Sequence, residues 1–330
     1  VIVVPSAVEM RQFGGGFVGD AIAHPPQEHT DLYGKHPLFL GADSPSTPPT
    51  CDWASLLPKV GGIRNQGQTE ACVPFTFVEV LALAAVGQGL YDTLELSPSL
   101  AYLGTLLETN RQSGLPPNTP LQPVGTQPTM CVSSLARMGV GLEAVRPFSQ
   151  DPNVLLAPET IAQAGDASSR IALAITAYAL MGAAAGAGRI LAVCQGISAY
   201  KGSAIPCALS VDAAFNNCDG SSVLLAPDMA TYSGGHMTSL AGYATVVSTE
   251  MRVSSGVITP YAILSNDFGL KDPSGSLRIG DTCARCWNHW STGWASESDV
   301  PGTAWGGPAF INSLAWMYLV SATLAPQVKS

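Results

Sequence analysis

Apolar and polar positions follow a helical rhythm in the first half of this chain and a strand rhythm in the second. From Val73 to about Leu90 the segment is apolar on nearly every side, which predicts a mostly buried helix closed by Gly87 and Gly89. Leu96-Ser97-Pro98-Ser99 offers an N-cap followed by proline at the first helical position, opening a second helix through Tyr102 and Leu107. Residues 111–128 form a loop rich in Pro, Gly and Gln, and Thr129–Gly139 reads as a third helix ended by glycine. Residues 171–199 read as helical with a glycine-rich break at 182–188. Strands are then predicted at Ala204–Val211, His236–Val247, Val257–Ser265 and Ser276–Ile279. Helices first and strands second argue for an α+β fold rather than a doubly wound sheet.

The ends of the chain follow neither rhythm. Residues 1–50 carry Gly14-Gly15-Gly16, Pro25-Pro26, Pro45, Pro48 and Pro49, and read as an extended arm or leader, either a pro-segment or a subunit-clasping arm. Residues 281–330 hold Trp287, Trp290, Trp294, Trp305 and Trp316 and read as an aromatic extension packing on the domain. The expected division is therefore an arm at 1–50, a principal domain at 51–280 and an extension at 281–330.

Composition narrows the partners. Charged residues make up 12% of the 330-residue chain and hydrophobic residues 46%, with a net charge of −9. So low a charge density suits either an Ala/Gly/Ser/Pro-rich secreted protein or a subunit that hides surface in an assembly. An extracellular or virion-associated setting fits either, with the N-terminal arm as the contact in a homo- or hetero-oligomer. No Lys/Arg cluster is present, so nucleic acid and anionic membrane are not expected partners. The chain opens at Val1 with no basic region and apolar core behind it, so no signal peptide is expected within it. Ile171–Gly188 is long and apolar enough to raise a membrane span, but its Ala/Gly content and flanking Arg170 and Arg189 favour a buried helix or helix pair. The eight cysteines are too sparse for a disulfide scaffold; Cys207 with Cys218 and Cys283 with Cys286 are the local candidates for pairing. Cys283-Ala284-Arg285-Cys286 with His289 has zinc-like spacing but supplies three ligands only, so a disulfide or a reduced pair is the expectation, with no metal and no cofactor.

Three short segments carry candidate nucleophilic chemistry. In Asn65-Gln66-Gly67-Gln68-Thr69-Glu70-Ala71-Cys72, Pro74 marks a first helical turn and so puts Cys72 at a helix N-terminus. Unpaired N–H groups and the helix dipole stabilise a thiolate there, and Gln66 is placed to offer its amide to an oxyanion. Ser233-Gly234-Gly235-His236 opens an apolar strand with a histidine suited to take the thiol proton. In Leu264-Ser265-Asn266-Asp267-Phe268-Gly269, Asn266 is placed to orient that imidazole and Phe268 to shield the bond.

In this order the segments resemble the papain-like cysteine peptidases over roughly residues 51–280. Asp52-Trp53 resembles the opening of the mature enzymes, and Asn65-Gln66-Gly67 the stretch with the oxyanion glutamine. Cys72 with Phe75 matches the nucleophile helix, and Leu96-Ser97-Pro98 the start of the next helix. His236 in Gly-His-Met-Thr-Ser-Leu-Ala-Gly-Tyr matches the catalytic histidine, and Asn266 in Leu-Ser-Asn-Asp-Phe-Gly the asparagine. The resemblance implies a two-lobe fold, a helical lobe with Cys72 and an antiparallel β-rich lobe with His236 and Asn266, closing on a cleft that takes a peptide or protein substrate. It implies a cysteine endopeptidase working through a thioester, with Cys72, His236, Asn266 and Gln66 as its catalytic residues. The chain departs from the pattern at Thr69, Glu70, Val73, Asp267 and Phe268, and the interval from Cys72 to His236 exceeds the usual one of roughly 130–150 residues. Glu70 places a carboxylate two residues before the thiol, where it opposes the thiolate. Two other readings stay open: a structural or binding subunit of a virus particle or surface assembly with little turnover, and acyl transfer by the same Cys–His pair.

Overall fold

A 16-residue helix with almost no polar face organises the protein. In the computed structural model, which describes residues 47–165, 170–171, 173–180 and 186–324, it is α1 (Cys72–Gly87). Every residue from Cys72 to Val86 is buried, as expected of a helix apolar all round. Gly87 closes it where the chain crosses at Lys201–Gly202, so tightly that a Cβ there would lie 2.0 Å from the Lys201 carbonyl oxygen.

The other helices gather on one side. Ser97 caps α2 (Pro98–Gln112), its Oγ accepting from the Leu100 N–H at 3.2 Å, as expected from Leu96-Ser97-Pro98. Next comes α3 (Pro128–Met138), stopped at Gly139, and then the short α4 (Pro152–Leu155) and α5 (Pro158–Gly165). Glu108 of α2 is buried and binds Arg111 and Gln112 of its own helix and Ser133 and Arg137 of α3. The two helices are joined by this charged clamp as well as by apolar packing.

Strands make the other part. They are β1 (Thr50–Asp52), β2 (Val140–Gly141), β3 (Arg170–Ile171), β4 (Leu173–Leu180), β5 (Ile205–Val211), β6 (Gly234–Ser254), β7 (Val257–Leu264), β8 (Gly269–Lys271), β9 (Thr282–Trp287), β10 (Thr303–Gly306) and β11 (Trp316–Leu324). Helices α6 (Ala187–Ser198), α7 (Ala213–Asn216) and α8 (Pro308–Ser313) lie between them. Nine of the strands form one sheet in the order β10-β9-β6-β5-β11-β4, with β1 and β7 also on β6 and β8 on β7; all these pairings are antiparallel. The long β6 is the spine. Its first half pairs with β5 and β9, and its second half leaves them to form a hairpin with β7. Met237 and Ala241 of β6 share a core with α1, while Leu240 joins a second core with α6 and α8.

The α+β expectation holds, and four finer expectations change. Residues 173–180 are a strand, not a helix: they pair with β11 from Tyr318 to Leu324, and Ile175, Thr176 and Tyr178 suit a ladder better than their alanine neighbours suggest. Residues 276–279 are not a strand, because Asp272 turns the chain by accepting from the Leu277 N–H at 2.7 Å. The boundary at 280 dissolves, because β9, β10 and β11 all lie in the main sheet; β9 sits beside β6, with Trp287 and Trp305 fully buried. All eight cysteines are free thiols. Cys283 and Cys286 stand three apart on one strand, so they face opposite ways, into separate cores. Residues 1–46, the bulk of the expected arm and its assembly role, lie outside the described residues. Among the described residues no helix is long and apolar enough to cross a membrane.

One charged knot ties β1 to the last third of the chain. Arg285 of β9 is buried, holds Asp52 and Asp299 each at 2.7 Å, and lies over the Trp305 ring at 4.3 Å. Both carboxylates bind it through the same guanidinium, which fixes β1 and the 299 loop on β9.

Candidate active site

Cys72 is the first residue of α1 and is wholly buried. Its sulfur faces the backbone N–H groups of Met237, Val73 and Cys72 itself, each of which favours the thiolate. Burial acts the other way and dominates, and Glu70 adds to it, so in this closed state the thiol is held far above the ordinary cysteine range. Met237 immediately follows His236, so β6 brings the histidine's own backbone up to the sulfur. Gly234, two residues earlier, takes φ 154°, a conformation side chains rarely adopt, as the strand enters.

His236 is also fully buried, and its orienting partner is not Asn266. Its Nε2 lies 2.7 Å from Asn288 Oδ1. The same oxygen accepts from the His289 backbone N–H at 2.8 Å, so it is the carbonyl end of the amide that faces the imidazole. A carbonyl oxygen only accepts, so Nε2 carries the proton and Nδ1 is the basic nitrogen of the neutral ring. Trp290 lies on the imidazole, ring centroids 4.7 Å apart, and Phe215 packs on Trp290 at 5.6 Å. These rings keep water from the amide–imidazole bond, the task assigned in sequence to Phe268.

Asn266 stands elsewhere. It is in the turn after β7, accepting from the Phe268 N–H and lying 3.5 Å from Asp299 Oδ2. The reason is register. Leu264 is paired with Val246, on the outer half of β6, ten residues and so roughly 33 Å along the strand beyond His236 at a strand rise of about 3.3 Å per residue. By contrast β9 runs beside the first half of β6, with Trp287 opposite Ser239, and delivers Asn288 next to His236.

Gln66 does stand at the site. Its backbone N–H donates to His289 O at 2.8 Å, its side-chain amide donates to Thr69 O at 3.1 Å, and Thr69 Oγ1 returns a bond to Gln66 O at 2.7 Å. Asn65 bridges to Trp290, so the 64–66 segment lies along the chain that follows β9. Cys72 and His236 are buried, while Asn65, Gln68 and Ser233 are exposed and Glu70 and Trp290 half-buried.

Glu79 and Asn288 were not singled out from sequence, and His289 was read there only as part of a zinc-like spacing. Glu79 is the one charge inside α1 and is fully buried. It receives Arg64 Nε at 3.3 Å and stands 2.7 Å from His289 Nδ1. His289 Nε2 meets Thr76 Oγ1 at 2.8 Å, and Thr76 Oγ1 donates to the Cys72 carbonyl at 2.9 Å. Asn288 and His289 had a visible signal, an amide and an aromatic closing the apolar strand Thr282–Trp287, the same cue that pointed to Asn266. Glu79 was visible as an acid in an otherwise apolar helix, which demands buried partners.

No protein-family model and no curated protein matches the chain. Solved structures do. Xylellain, a cysteine protease from Xylella fastidiosa, superposes with a TM-score of 0.56 at 15% identity, over 96% of this chain and 94% of its own. Procathepsin B S9 from Trypanosoma congolense gives 0.55 at 15% identity over 96% and 89%, and the bromelain protease from Ananas comosus 0.51 at 15% over 83% and 99%. The protein therefore has the papain-like cysteine-protease fold, in divergent form, as the resemblance in sequence implied.

Proposed function

We propose that this chain is a cysteine peptidase that cleaves peptide bonds through a thioester on Cys72, with Asn288 in the role first given to Asn266. The observation that carries the reading is the arrangement around β6. Cys72 at the start of α1 has its sulfur on the Met237 N–H, and the adjoining His236 is held by Asn288 through Nε2. In this mechanism His236 Nδ1 takes the thiol proton as sulfur bonds to the scissile carbonyl carbon. The Cys72 N–H, with the Gln66 amide swung from Thr69 O, stabilises the oxyanion. The imidazolium returns its proton to the leaving amine as the C–N bond breaks. Water, deprotonated by the same nitrogen, then releases the acid and the thiol. Peptide or protein is the substrate class.

Cleavage of an unfolded protein such as reduced casein tests this. Wild type is expected to give fragments, and Cys72→Ser and His236→Ala none. Fragments that persist in Cys72→Ser overturn it.

A second reading, a structural or binding subunit with little turnover, is favoured by one observation: Cys72, Gln66 and His236 are all buried, so substrate entry requires the surface around Gln68 and Trp290 to open. Absence of cleavage together with slow, uniform alkylation of all eight cysteines supports that reading.

A further inference from the structure

The peptidase mechanism leaves a second histidine unused, and its surroundings are too specific for a space-filling residue. We propose that His289 is a positioning residue for this site. Set against Glu79 and Thr76, it ties the start of α1 to the chain after β9 and fixes the orientation of His236. The proposal rests on the peptidase reading for its effect on turnover, and on the hydrogen bonds alone for its effect on His236.

Five contacts meet at this one residue. Its backbone N–H donates to Asn288 Oδ1, the oxygen that faces His236, and its carbonyl accepts from the Gln66 N–H, both at 2.8 Å. One peptide segment thus sets the amide that orients the base and the loop that carries the oxyanion glutamine. The ring supplies two more contacts. Thr76 spends its only hydroxyl proton on the Cys72 carbonyl, so toward His289 Nε2 its oxygen can only accept. On the other side Nδ1 stands 2.7 Å from a carboxylate oxygen of Glu79, whose second oxygen receives Arg64. Nε2 therefore donates to Thr76. The fifth contact is the Phe75 ring, 5.6 Å away, which holds the imidazole from the side.

The charged and titratable groups facing His289 are Glu79 of α1, Arg64 of the preceding loop, and His236 of β6, whose ring centroid is 6.1 Å away; Glu143 lies behind Arg64 at 3.7 Å.

The test is Thr76→Val, which keeps the shape of the side chain and removes one ring contact, with Thr76→Ser as the conservative variant and His289→Ala as the harsher one. Two readouts are taken: peptide cleavage, and the ring N–H signals of both histidines by nitrogen-15 NMR at neutral pH. In wild type the His236 Nε2–H exchanges slowly. In Thr76→Val kcat falls by about 10- to 100-fold, the scale of a small misplacement of reacting groups. KM is unchanged, the His236 Nε2–H exchanges faster, and Thr76→Ser restores both.

A folded Thr76→Val protein with wild-type kcat and wild-type exchange at His236 overturns the proposal. The two readings fail separately. A wild-type chain that cleaves nothing, yet whose slow His236 Nε2–H exchange speeds up in Thr76→Val, overturns the peptidase reading and supports the tether. A chain that cleaves equally well with and without the Thr76 hydroxyl overturns the tether and leaves the peptidase.

Discussion

Glu70 and the Met237 N–H pull the Cys72 thiol in opposite directions, and burial sides with Glu70. The sign gives a direct prediction. A neighbouring negative charge raises a thiol pKa, so Glu70→Gln lowers it and enlarges the thiolate fraction at neutral pH. Alkylation of Cys72 by iodoacetamide, followed against pH, is expected to speed up severalfold near pH 7, with its midpoint moved to lower pH; an unmoved midpoint contradicts the placement of Glu70 beside the sulfur. At this scale the sequence was informative about position and silent about pairing. Pro74 in a first turn was enough to put Cys72 at a helix start, and two glycines before a strand were enough to single out His236. Asn266 and Asn288 both follow an apolar strand, and nothing local separates them. The choice depends on which half of β6 each strand joins, a long-range fact.

Elements are held together here by charges as well as by apolar faces. The Glu108 clamp between α2 and α3 is the clearest case. Arg111 acts most strongly on it, and with Gln112, Ser133 and Arg137 it holds the carboxyl well below the usual carboxylate range. A depressed folded-state pKa contributes stability that is fully present above the unfolded value of about 4.3 and is lost as pH falls through that value toward the folded one. Glu108→Gln is therefore expected to lower unfolding stability by about 1–2 kcal/mol at pH 7. The gap to wild type should narrow in urea titrations repeated below about pH 4. A gap that stays constant into acid contradicts the clamp. The first three helices were legible because caps, prolines and glycines mark their ends locally. The strand at 173–180 was not, because its alanines read as helix and its pairing partner, β11, lies at the far end of the chain.

For the whole molecule, the extension expected after residue 280 turns out to be structural. β9 bears Asn288 at its end, β11 pairs with β5 and β4, and Tyr318 and Val320 are buried in the α1 core. Arg285 fastens this last third to Asp52 of β1. Replacing it by Met leaves two carboxylates facing each other without their cation, and is expected to cost about 3 kcal/mol, read as a drop in the urea midpoint. A midpoint within error of wild type contradicts the knot. Fold class was legible from the order of helices and strands. The domain boundary was not, because Trp287 and Trp305, which looked like part of a packed tail, sit buried on β9 and β10 of the sheet itself.

The central claim is that Cys72 is activated by His236 held on Asn288. Its most direct test is the rate of iodoacetamide labelling at each of the eight cysteines, by mass spectrometry near pH 6, in wild type, Asn288→Ala and Asn266→Ala. Cys51 and Cys218 are the more accessible thiols, both pushed up to about 11 by burial, so preference for Cys72 reports the imidazole rather than exposure. The account predicts fastest labelling at Cys72 in wild type and in Asn266→Ala, and loss of that preference in Asn288→Ala. Slow labelling of Cys72 in all three, or a preference that depends on Asn266, would contradict it.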